Sequence, residues 1–175
     1  MRSLTDRDKI SRFMHALGSR VSLSARVYLT GGSSAVLHGW RLTTLDIDLK
    51  FIPDLDEIFR QLPKLKEELE MNIELAAPSD FIPELPGWEE RSIYIGSEGK
   101  IRFYHYDPYS QALSKIERGH TQDVADVESM FRDKLIDVEQ LLRHFKEIES
   151  RLYRYPAINP DKFAANVRAV IERFE

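Results

Sequence analysis

Apolar residues recur at helical spacing at Ile10, Phe13, Met14 and Leu17, which predicts a helix over residues 4–17. Thr5 or Asp6 is placed to cap it and Gly18 to end it. A short apolar run, residues 27–29, suits a strand and is broken by Gly31 and Gly32. Residues 33–38 then form helix, with Ser33 or Ser34 as the cap. In residues 45–51, Leu-Asp-Ile-Asp-Leu-Lys-Phe, apolar and polar positions alternate with a period of two, the pattern of a half-buried strand. Ile58, Phe59, Leu62, Leu65 and Leu69 give an amphipathic helix over 56–71, which Pro63 is expected to kink or split. Residues 72–76 read as a third strand.

The next stretch, 77–91, holds Pro78, Pro83, Pro86 and Gly87. It reads as an irregular loop with a helical turn near 79–82. Residues 92–95 and 100–106 then form a hairpin about a turn at 96–99. Beyond Asp107 and Pro108 the pattern is helical: 109–118 closed by Gly119, 122–132 capped by Thr121, a longer helix from the Asp137 cap to about residue 153, and 161–174. The whole predicts an α/β (α+β) fold, with a mixed sheet of about five strands flanked by helices. It divides into a core over 1–107 and a helical C-terminal part over 108–175 packed on it.

The chain has 175 residues, 42% of them hydrophobic, enough for a proper core. With no cysteine, disulfides and thiolate metal sites are excluded. The apolar runs fall far short of a membrane span, and no apolar signal segment follows the charged N-terminus, so a cytoplasmic protein is expected. A net charge of −4 gives no general reason to expect a nucleic-acid binder, although a local basic patch would suffice for one.

The stretch from Tyr28 to Phe51 carries the chemistry. A glycine pair before a helix lets backbone approach a ligand where the helix offers N–H groups, which suits a phosphate. Asp46 and Asp48 share one face of their strand, with Cα atoms roughly 6.5–7 Å apart. Such carboxylates suit one or two hard cations such as Mg2+ or Mn2+. Phosphate cradle and carboxylate pair together imply a nucleoside triphosphate with its metal.

Gly31-Gly32-Ser33 followed by Asp46-Ile47-Asp48 resembles the nucleotidyltransferase superfamily, with the fold of the DNA polymerase β palm. The form Gly-Gly-Ser-x-Ala-x-x-x-His-Gly…Thr-x-Asp-Ile-Asp-Leu is similar to the small bacterial branch that includes AbiEii-type toxins of toxin–antitoxin systems. It is closer still to relatives with a Phe-Ile-Pro-x-Leu-Pro-Gly-Trp stretch, here Phe81 to Trp88. The resemblance implies metal-dependent transfer of a nucleoside monophosphate to a hydroxyl, with RNA, protein or a small molecule as candidate acceptor. Under it Gly31, Gly32 and Ser33 hold phosphates, and Asp46 and Asp48 hold the metal. Glu74 on the third strand acts as third metal ligand or base. Lys115 and Asp123, in a Lys…Arg…Asp-x-x-Asp pattern with Arg118 and Asp126, approach or support the nucleotide. The alternative for that pattern is a solvated helix face with internal ion pairs. Arg41, Thr43 and Thr44 touch phosphate or support the turn. His38 is expected to pack or cap, and Trp40 and Trp88 to be partial core or a base platform. The rival functions are a catalytically degenerate nucleotide-binding or antitoxin-partner protein of the same fold, and a nucleic-acid-binding module using that fold, against which the acidic balance speaks.

Overall fold

The computed structural model describes residues 3–175. Its first elements are β1 (Thr5–Asp6) and α1 (Arg7–Arg20), started by the Asp6 carboxylate, which accepts from the Lys9 backbone N–H. Gly18 does not end this helix. It is buried, and a Cβ there would overlap the Glu98 backbone, so the glycine serves a close approach and α1 runs on to Arg20.

Next come β2 (Ala25–Thr30), α2 (Gly31–His38), β3 (Thr43–Thr44) and β4 (Asp46–Ile52). Helix α3 (Asp56–Glu68) is not split at Pro63. Pro63 lies on the exposed side, where a carbonyl deprived of its N–H partner can turn to water. Strand β5 (Asn72–Leu75) is followed by a 3-10 turn (Pro78–Asp80) and the short α4 (Trp88–Arg91). The hairpin strands are β6 (Ile93–Glu98) and β7 (Ile101–His105). Their turn lies at residues 99–100, later than expected, because a bulge between Tyr94 and Gly96 lets β6 absorb Gly96 and continue.

The remaining helices are α5 (Pro108–Arg118), α6 (Thr121–Arg132), α7 (Val138–Glu149) and α8 (Pro160–Phe174). Asp107, Asp137 and Asn159 cap α5, α7 and α8 through side-chain oxygens, and Gly119 closes α5 at φ 70°. Thr121 is the first residue of α6 rather than its cap. Helix α7 stops short of residue 153, and a 3-10 turn (Leu152–Arg154) follows.

The five-stranded sheet has the order β5-β4-β2-β7-β6, with β4–β2 and β7–β6 antiparallel and the other two pairs parallel. It is the mixed sheet that the alternation predicted. A two-stranded sheet joins β1 to β3. Ile47, Leu49 and Phe51 of β4 enter one core with Val27, Leu29, Ile73 and Phe103. Ile10, Phe13 and Leu17 of α1 and Ile58, Leu62 and Leu65 of α3 cover that face. Full burial of each such side chain contributes about 1.5–3 kcal/mol, and with the core on one face Asp46, Asp48 and Lys50 are left to the other.

The chain divides into two compact units, Met1–Ala77 with Ser92–Tyr106, and Pro78–Arg91 with Asp107–Glu175. The proline-rich loop belongs to the helical unit for visible reasons. Arg91 forks onto Asp107 with Nε–Oδ1 3.1 Å and Nη2–Oδ2 2.8 Å, and the Tyr155 hydroxyl donates to the Ser79 carbonyl at 2.8 Å. Ile82, Leu85 and Trp88 of the loop are buried.

Candidate active site

Strand β2 passes into α2 at Gly31, whose φ of +61° favours glycine. A Cβ on Gly31 would sit 2.9 Å from Asp48 Oδ2, so the turn and this carboxylate abut. A Cβ on Gly32 would overlap the Thr44 hydroxyl, lie 2.8 Å from Thr44 Cβ and lie 3.4 Å from Arg41 Nη1. Thr44 and Arg41 therefore flank the same turn. Thr44 Oγ1 also donates to the Asp46 carbonyl at 3.3 Å. Neither serine caps α2. The cap position belongs to Thr30, the last residue of β2, which makes no side-chain cap. Ser33 Oγ donates back to the Thr30 carbonyl at 3.0 Å, and Ser34 Oγ lies 2.8 Å from His105 Nδ1.

Asp46 and Asp48 are half-buried on the polar face of β4. In the parallel register with β5, Asp46 faces Asn72 and Asp48 faces Glu74. Asn72 Nδ2 donates to Asp46 Oδ1 at 2.6 Å. Glu74 is exposed and stands one strand spacing, about 4.8 Å, from Asp48. The fold thus brings Gly31, Gly32, Thr44, Asp46, Asp48 and Glu74 into one neighbourhood. Asn72 is an addition that sequence reasoning missed. Its signal is positional, two residues before Glu74 on the same strand face, and it appears only once the strands are paired.

Beneath α2, the His38 ring stacks on His105 at 3.7 Å and on Trp40 at 4.4 Å between centroids, so His38 packs. Burial drives the His105 imidazole down to about 3, and the nearby His38 and Arg7 add to the shift. His105 is thus neutral. Arg7 also donates to the Leu37 carbonyl near the end of α2.

Lys115 and Asp123 lie in the helical unit. Lys115 is buried, with its ammonium 2.7 Å from Asp126 Oδ2 and 3.7 Å from Asp123 Oδ1. Arg118 Nη2 donates to Asp123 Oδ1 at 2.8 Å. Asp123 Oδ2 is buried without a hydrogen-bond partner, and the His120 ring nitrogen is 4.0 Å away. The internal ion pairs of the alternative reading are therefore present, but on a buried face.

Residues 9–174 match the model of a family described as nucleotidyltransferases of unknown function (DUF6036). The chain belongs to that family. The family description supports the nucleotidyltransferase superfamily and carries no AbiEii-type assignment. Neither a curated protein nor a solved structure matches the chain.

A nucleotidyltransferase of this fold implies a divalent cation, and the donor set at β4 suits one. Two carboxylates on one strand face offer hard oxygen ligands, and Mg2+ is commonly held by one or two carboxylates with substrate phosphates supplying the rest. Asp48 is pressed against the Gly31 turn. Among the described residues no group of three or more His, Asp or Glu converges as a ready cation cage. No helix among the described residues is long and apolar enough to cross a membrane.

Proposed function

We propose that this nucleotidyltransferase moves a nucleoside monophosphate from a nucleoside triphosphate to a hydroxyl acceptor and releases pyrophosphate. The observation that carries the reading is the contact between the Gly31 turn and Asp48. It joins a glycine turn at a helix start to a carboxylate pair within one strand–turn–helix–strand segment. Backbone of Gly31, Gly32 and Ser33 holds the phosphates, with Thr44 at the turn and Arg41 facing their charge. Asp46 and Asp48 hold Mg2+ or Mn2+, which when bound supplies charge neutralisation at the phosphoryl group. Asn72 fixes the Asp46 carboxylate in one rotamer. Glu74 takes the acceptor proton or completes the metal site. Lys115 and Asp123 enter as nucleotide contacts on the sequence pattern alone, as does the AbiEii-type, toxin–antitoxin likeness.

Asp46→Asn with Asp48→Asn tests the reading. The fold should persist, since both side chains lie outside the core. Thermal melts with each triphosphate and Mg2+ should show stabilisation of the parent, about 2.7 kcal/mol at a hundredfold excess over Kd, and none of the variant. Equal shifts in both would overturn the assignment. Turnover is read from α-labelled nucleotide transferred to RNA and protein fractions, with pyrophosphate release alongside. The second reading is nucleotide binding without catalysis, favoured by the engagement of Lys115 with Asp126. Tight triphosphate binding with no label transferred and no pyrophosphate would decide for it.

A further inference from the structure

The polar face of the sheet changes character along its length. At one end it carries Asp46, Asp48 and Glu74. Four residues back along β2 from Thr30, which pairs with Asp48, it carries Arg26, roughly 13 Å away at about 3.3 Å per residue. Arg26 is in register with Arg102 of β7, and Arg102 with Ser97 of β6. These side chains and Lys100 line an open cavity of about 440 Å³ that also takes in Ser24 and Pro53. None of its lining residues is acidic.

Three cations therefore converge in a chain whose net charge is −4. Lys100 and Arg102 are exposed and form no ion pair with a described residue. Glu98, the nearest acid along the hairpin, pairs with Ile101 and so projects to the core side, where its carboxylate lies 3.2 Å from His15 Nδ1. The hairpin tip is held firmly. Gly99 has a φ of +59°, and a Cβ there would overlap the Gly18 carbonyl, so the turn presses on α1 and presents Lys100 from a fixed base. Beside the cavity, Tyr94 is 56% exposed, edge-on to Tyr104 at 5.6 Å, with its hydroxyl 2.7 Å from Ser97 Oγ.

Clustered guanidinium and ammonium groups with hydroxyl donors match phosphate oxygens. An exposed ring beside them matches a base face, the pairing by which single strands are held. We propose that the Arg26–Lys100–Arg102 cavity and Tyr94 bind phosphates and a base of a single-stranded nucleic acid, the strand whose terminal hydroxyl accepts the nucleotide. The acceptor role rests on the transferase reading; the binding site does not.

The test is fluorescence anisotropy of a short labelled single-stranded RNA on the full chain, without triphosphate, across about 50–200 mM salt. The parent should bind with affinity falling as salt rises. Lys100→Glu with Arg102→Glu should lose about tenfold or more at low salt and lower the slope of log K against log salt by about 1.4, at roughly 0.7 per phosphate contact on a single strand. Lys100→Arg with Arg102→Lys should restore the slope. Tyr94→Ala should weaken binding and leave the slope unchanged. Triphosphate–Mg2+ stabilisation should be the same in parent and charge-reversed variant. No RNA binding at low salt, or equal affinity and slope in the charge-reversed variant, overturns the proposal. So does inorganic pyrophosphate competing as well as the oligonucleotide per phosphate, which would make this a small-anion site. RNA binding that survives while triphosphate binding fails would sink the transferase reading and spare this one.

Discussion

His105 makes the α2 platform acid-sensitive, and the size of the effect follows from its burial. The imidazole is 7% exposed, stacked on His38 and hydrogen-bonded with Ser34. Its pKa falls from 6.5 to about 3 on folding. A base depressed in this way is neutral in the fold while the unfolded chain takes up a proton. The stabilisation is complete above about pH 6.5 and is lost as pH falls through the window towards 3. Each pH unit in that window costs about 1.4 kcal/mol, so at pH 5 the loss relative to pH 7.5 is about 2 kcal/mol. For a chain of this size that lowers Tm by roughly 4–8 °C.

The comparison that isolates the effect is His105→Phe, which keeps an aromatic ring against His38 and cannot titrate. It leaves the Ser34 hydroxyl without its ring partner, which costs about 1 kcal/mol at every pH. The variant should therefore melt below the parent at pH 7.5, and the gap should close or invert by pH 5. Glu57, held low by Ser22, and Glu68, held low by Arg20, titrate below their ordinary 4.5, outside this range. Parallel profiles for parent and variant between pH 7.5 and 5 would refute the reasoning.

Gly32→Ala should destabilise by about 1–3 kcal/mol, because its Cβ meets Thr44, and Thr44→Gly in the same chain should recover part of the loss. A melt showing no recovery would mean that the turn, not Thr44, demands the glycine. Lys115→Ala should cost about 3–5 kcal/mol by taking the ammonium away from buried Asp126 while Asp123 keeps Arg118, and Lys115→Gln with Asp126→Asn should be milder. If Lys115→Ala melts like the parent, the ion pair carries no structural weight and lost activity in that variant can be read as chemistry.

The parts of the fold legible in the sequence were those set by local pattern. The period of two in β4 placed Ile47 inside and Asp46 and Asp48 on the other face, and the order of elements gave the mixed sheet. Glycines were the poorest guide, because one residue type serves several ends. Gly119 stops a helix, Gly18 lets a helix touch a hairpin, and Gly96 is absorbed at a bulge. The site divides in the same way. Gly31 and Asp48 meet within one local segment, so spacing revealed them. Asn72 beside Asp46 depends on the β4–β5 register, and Ser34 with His105 joins residues 71 apart in sequence, so no local pattern reports either.

Charge balance bears on which cation faces a triphosphate. Lys115 and Arg118 contribute two positive charges, Asp123 and Asp126 two negative, and the four are interlocked by contacts of 2.7 to 3.7 Å. A cluster that sums to zero offers an anion little net attraction, and freeing Lys115 for a phosphate would take its ammonium away from a buried carboxylate. Arg41 is placed differently. Its guanidinium lies against the Gly32 turn, beside the hydroxyl of Thr44 and in the same short segment as both aspartates. We therefore propose that neutralising phosphate charge at the cradle falls first to Arg41, with the nucleotide contact that the sequence pattern suggests for Lys115 secondary to its ion pair between α5 and α6. Arg41→Gln should then weaken triphosphate binding, read as a smaller nucleotide-induced shift above the variant's own Tm. Unchanged affinity in Arg41→Gln would return the charge-neutralising role to Lys115.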